Sequence, residues 1–72
     1  MKAIDMTHGQ RLAAALLMEK QGGSFAGHIA RAFYVADSTN AKLLMTAFDD
    51  LFCRYYDLHC MNMEHDTQGE DA

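Results

Sequence analysis

The chain has no proline, so no interior position is barred from continuing a helix by a missing backbone N–H. Its cysteines are few: Cys53 and Cys60 stand seven residues apart. On one continuing helix that spacing is two turns, about 10 Å along the axis, whereas a disulfide needs Cα atoms within about 7 Å. Reduced thiols are therefore expected, and they fit a cytoplasmic address. No run of about 18 apolar residues is present to span a bilayer. Asp5 interrupts the N-terminal Met1–Ile4 stretch before it could serve as a secretory signal. Phosphate-cradling glycines are missing too, because Gly22-Gly23 has neither the spacing nor the lysine of a P-loop. At 72 residues there is room for one domain, and a ligand pocket of about 300–1,000 Å³ is hard to hollow out of so small a core. Neither an enzyme nor a cofactor or metal protein is expected.

What is present favours helix. Half of the residues are apolar, with alanine, leucine and methionine frequent. The net charge of -4 is unevenly placed. Up to residue 63, Asp5, Glu19, Asp37, Asp49, Asp50 and Asp57 are matched by Lys2, Arg11, Lys20, Arg31, Lys42 and Arg54. The excess comes from Glu64, Asp66, Glu70 and Asp71, in a polar stretch that buries too little apolar surface to offset the entropy of ordering.

The residues predict an all-α bundle of three or four short helices. Residues 1–6 are expected to be a flexible N-terminus, 7–62 the helical domain and 63–72 a disordered acidic tail. Thr7 and Gln10 have the spacing of a capping box, opening a helix over about 8–21 that Gly22-Gly23 ends. Ser24 is the expected N-cap of a second helix over about 24–36, with Phe25, Ile29, Phe33 and Ala36 turned inward and Ala32 filling in. The turn-forming run Asp37-Ser38-Thr39-Asn40 separates it from a third helix over about 40–60. In that helix Leu44, Phe48, Leu51, Tyr55 and Leu58 recur at heptad spacing. Asp49 and Asp50 suit a first turn better than a helix interior, so a break near 48–49 is as consistent with the pattern as one long helix.

The stretch from Gly22-Gly23-Ser24-Phe25 through Ile29-Ala30-Arg31-Ala32-Phe33 to Ala47-Phe48-Asp49-Asp50-Leu51-Phe52-Cys53-Arg54-Tyr55 resembles small uncharacterised proteins encoded by phages, prophages and plasmids. The resemblance implies a compact helical fold and a mobile-element origin. It carries no catalytic residues to transfer.

Three chemistries can be weighed on the remaining residues. Cys53, Asp57, His59, Cys60, Met61, Met63 and His65 contain donors for a thiophilic ion, but their spacing matches no paired zinc motif, and half-buried thiols and methionines at a helix end are the expected meaning. Two helices joined by a short turn could form a helix-turn-helix with Asn40, Lys42 and Thr46 toward a groove. The neutral body and the single lysine of the reading helix argue against nucleic acid. The leading expectation is a small interaction or regulatory protein, binding a host or defence protein or forming a homodimer. Its candidate contacts are the tyrosine and arginine groups favoured at interfaces, Arg31 with Tyr34 and Arg54 with Tyr55 and Tyr56, together with Phe52.

Overall fold

A computed structural model describes the protein, with side chains from residue 1 to 62 and backbone to residue 71; the acidic tail expected at 63–72 lies outside the residues described with their side chains. A short 3-10 turn at Ala3–Asp5 precedes four helices: α1 (His8–Gln21), α2 (Gly23–Val35), α3 (Ser38–Ala47) and α4 (Asp49–Asp71). The expected all-α bundle is present, in its four-helix form.

The capping box forms as the spacing predicts: Thr7 Oγ1 accepts from the Gln10 N–H at 3.1 Å, and Gln10 Oε1 accepts from the Thr7 N–H at 2.9 Å. Two helix-start donors are thereby satisfied by side chains only three residues apart. Replacing Thr7 by alanine should cost about 1 kcal/mol, read as a lower midpoint in a thermal melt.

At the other end of α1, the Gly22 N–H donates to the Met18 carbonyl at 2.8 Å and Gly23 takes a left-handed φ of 79°. The helix thus stops where the double glycine predicts. Ser24 does not cap α2. That helix already begins at Gly23, follows Gly22 and has no side-chain cap, because the turn is made within the glycine pair.

Asp37, not Asn40, sets the start of α3, its carboxylate accepting from the Asn40 N–H at 2.8 Å. The helix therefore starts two residues earlier than expected. Phe48 (φ −117°, ψ 37°) separates α3 from α4, and Asp49 and Asp50 occupy the first turn of α4, where the helix dipole favours carboxylates.

The core is built mainly from alanine, methionine and two phenylalanines. Ala14, Ala15 and Met18 of α1 meet Ala26, Ala30 and Phe33 of α2, with Met45 of α3 and Phe52 of α4 closing it. Alanines on both sides let α1 and α2 approach closely, and α1 also packs along α4. The rings of Phe33 and Phe52 meet edge to face at 5.8 Å and 62°. Such a contact adds about 0.5–1.5 kcal/mol beyond the burial itself.

Residues 1–6, expected to be a flexible N-terminus, pack against the helical body. Ala3 and Met6 are buried in the core. The Ala3 N–H donates to Asp49 Oδ1 at 2.6 Å, and the Cys53 thiol donates to the Met1 carbonyl at 3.1 Å. Arg11 adds a bond from its Nη2 to the Ile4 carbonyl at 2.9 Å. The break at Phe48 is what frees Asp49 for this role. A carboxylate at the start of α4 holds both its own helix end and the incoming chain.

Candidate functional site

Of the apolar residues that remain outside the core, Phe25, Val35 and Leu43 lie on α2 and α3, and Ile4, Leu16 and Met61 lie elsewhere. In α2 one row, Ala26, Ala30 and Phe33, faces the core, and a second row, Phe25, Ile29, Ala32 and Ala36, runs beside it. Residues three and four apart share a helix face, so both rows satisfy the periodicity of an inward stripe. Burial distinguishes them: Phe25, expected to point inward, is 63% exposed, whereas Phe33 is 5% exposed. Helix α3 is short and fully buries only Met45, leaving Leu43 61% exposed, and Val35 at the end of α2 is 86% exposed.

Val35 and Leu43 frame a groove of about 410 Å³. Ala32, Ala36, Leu44 and Ala47 line it along with the more prominent Val35 and Leu43, and Asn40 supplies its single polar side chain. Ala47 also lines an adjoining hollow of about 390 Å³, in which Phe25, Phe48 and Leu51 are flanked by Asp50 and Arg54. The rings of Phe25 and Phe48 lie 5.7 Å apart, steeply tilted. This second hollow is more polar than the groove, with Thr46, Asp49, Asp50 and Arg54 in its lining.

Of the residues expected to contact a partner, Arg54 alone borders this surface. Phe52 is fully buried and belongs to the core, so it cannot serve as a contact. Arg31 and Tyr34 sit elsewhere, clamped to α1: the Tyr34 hydroxyl donates to Glu19 Oε1 at 3.0 Å and Arg31 Nε donates to Glu19 Oε2 at 3.4 Å. Burial, and then the bond to Glu19, push the Tyr34 phenol above its ordinary pKa. Tyr55 and Tyr56 are half-buried against the core, where the Tyr56 oxygen accepts from Gln10 Nε2 at 3.3 Å and its ring stacks on His59. Arg31 and Tyr34 thus stay together at Glu19, while Arg54 lies apart from Tyr56, which is bonded to Gln10.

No family model matches the chain, and no similar protein is found among curated sequences or solved structures.

The donor cluster near the end of α4 is also dispersed. Among the described residues no group of three His, Cys, Asp or Glu side chains converges on one point, and Met63 and His65 lie outside those described with side chains. Cys53 and Cys60 are both free thiols. Burial raises the Cys53 pKa, and the neighbouring Asp49 charge raises it further. The thiolate, which is the ligating and nucleophilic form, is disfavoured there.

Asn40, Lys42 and Thr46, which a helix-turn-helix would turn toward a groove, lie on α3, and the Thr46 hydroxyl is turned back onto the Lys42 carbonyl at 2.9 Å. No helix among the described residues is long and apolar enough to cross a membrane. The α2–α3 surface has almost no polar groups with which to orient a small substrate.

Proposed function

We propose that this is a non-enzymatic, cytoplasmic interaction protein whose α2–α3 groove docks onto an apolar surface of another protein chain. In this reading it is an accessory factor of a mobile element, acting on a host or defence component. The observation that carries the docking surface is the joint exposure of Val35 and Leu43 around a floor of alanines. Contiguous apolar exposure of this kind marks association sites. Small floor residues flanked by larger ones offer a recess into which a partner's side chains can be inserted, which is how buried anchors concentrate binding energy.

Affinity capture with purified protein tests this. The wild type should retain a stoichiometric protein partner, or a tagged second copy, and Leu43→Glu should reduce retention at least tenfold while leaving helicity by circular dichroism intact. Equal retention by wild type and variant would remove the groove from the account. DNA is not the favoured ligand, since Lys42 is the sole cation of α3. A fluorescence titration against mixed duplex at low salt, where charge-driven binding is strongest, should show no saturable binding.

A further inference from the structure

We propose that residues 1–6 form a strap that opens as one piece, hinged where Met6 meets Thr7 and caught by Asp49, and that α3 loosens when it opens. The inference does not depend on what the α2–α3 groove binds.

The strap is built to move as a unit. Its turn is closed by two internal bonds, from the Asp5 N–H to the Lys2 carbonyl and from the Met6 N–H to the Ala3 carbonyl, both 3.0 Å. Neither bond needs the helices. Met6 and Thr7 then take extended backbone, and the capping box of Thr7 with Gln10 satisfies the start of α1 without residues 1–6. Release of the strap therefore costs α1 none of its capping bonds.

Its fastenings are few, and the groups on the helices have alternatives to them. Asp49 Oδ1 accepts the Ala3 N–H at 2.6 Å and stands 3.7 Å from the Cys53 sulfur. The single thiol proton of Cys53 is donated to the Met1 carbonyl at 3.1 Å while the strap is closed. Once the strap leaves, the same S–H can turn to Asp49 Oδ1, and the carboxylate keeps its favourable place in the first turn of α4. Burial, and then the Asp49 charge, raise the Cys53 pKa and keep that proton on sulfur. Arg11 gives the Ile4 carbonyl a bond from Nη2, yet its Nε is buried with no acceptor among the described residues, so the closed strap leaves one donor unsatisfied. A contact whose groups can be satisfied in two arrangements switches between them as a unit.

What the strap covers gives its opening a consequence. Ala3 and Met6 are buried, and Lys2 and Ile4 line a hollow of about 230 Å³ with Met45, Thr46 and Asp49. The turn Ala3–Asp5 packs on α3 and α4 alike. Met45 is the one side chain that α3 buries completely, so lifting the strap uncovers the anchor of a ten-residue helix. A helix that short is marginal without its packing.

Amide hydrogen exchange of the full chain, followed residue by residue by nuclear magnetic resonance at rising urea below the unfolding transition, tests the inference. In the wild type the Ala3, Met6 and Met45 amides should share one opening, about tenfold or more above that of Ala15 and Ala30 in the α1–α2 core and with a shallower dependence on urea. Asp49→Ala removes a charge-assisted bond and should raise that shared opening about tenfold or more. Asp50→Ala takes a carboxylate from the same first turn of α4 but none of the strap's bonds, and should leave the opening within about twofold of the wild type. Met6→Ala, with Asp49 in place, should open the strap as Asp49→Ala does. Ala3 and Met6 amides that exchange only with the opening and urea dependence of Ala15 and Ala30 would overturn the inference, as would equal effects of Asp49→Ala and Asp50→Ala. Met45 staying with the core while Ala3 and Met6 open would overturn the loosening of α3.

Discussion

Replacing Phe52 by alanine should cost about 3–5 kcal/mol of folding free energy. A domain of this size has roughly 4–11 kcal/mol in total, taking 0.05–0.15 kcal/mol per residue. The variant should therefore unfold at far lower urea than the wild type, and part of it should be unfolded in buffer. Phe52 is fully buried, among the largest side chains so placed, and lies where α4 meets α2. Its ring meets the edge of Phe33, and deleting it removes that contact and leaves a cavity. The surrounding groups are mainly alanine and methionine, and the alanines have no side-chain freedom with which to fill the space. Urea unfolding followed by circular dichroism measures the loss. A change below about 1 kcal/mol would mean that Phe52 is not where the structure puts it, and would return it to the candidate contact residues.

Gly22→Ala should be nearly as damaging, by about 2–4 kcal/mol. A Cβ at this position would lie 2.5 Å from the Ala26 Cβ and 2.6 Å from the Met18 carbonyl oxygen. Neither atom is the end of a flexible side chain, so relief requires the α1 and α2 backbones to move apart. Those two helices share the alanine interface that makes up much of the core, and the displacement would propagate into it. Gly27→Ala provides the contrast. It lies within α2, and a Cβ there meets nothing within 4 Å. That substitution should stabilise by about 0.5–1 kcal/mol, because alanine loses less backbone entropy on entering a helix. Thermal melts of the two variants should therefore shift in opposite directions. A Gly22→Ala melt matching the wild type would contradict the close approach at the α1–α2 turn.

Much of the helical layout was legible because it is specified within a single turn of chain. Thr7 with Gln10 and the Gly22-Gly23 pair act on their own neighbours, whereas the aspartates after Phe48 left a break and one continuous helix equally consistent with the pattern. Residues 1–6 were not legible, because what holds them is Asp49, 46 residues from its bonded partner Ala3. No local pattern announces such a contact. The orientation of α2 was half legible. Periodicity identified its apolar positions but could not choose between two adjacent rows, and the row with alanines at 26 and 30 took the core because α1 offers alanines in return. The larger Phe25 was left outside by that choice. The groove escaped notice for the same reason, since Val35 and Leu43 become a surface only once it is known which face of each helix is spent on the core. Interface preferences drew attention to tyrosine and arginine instead, yet Tyr34 and Arg31 are occupied with Glu19 and Tyr56 with Gln10.

Backbone amide chemical shifts of labelled protein, followed by nuclear magnetic resonance as the partner retained in affinity capture is added, test the docking surface most directly. Amides of Ala32, Val35, Asn40, Leu43 and Ala47 should move together along one binding curve, while those of Leu12, Leu16 and Lys20 on α1 stay fixed. Shifts confined to α1 and α4, with the α2–α3 amides unmoved, would contradict it.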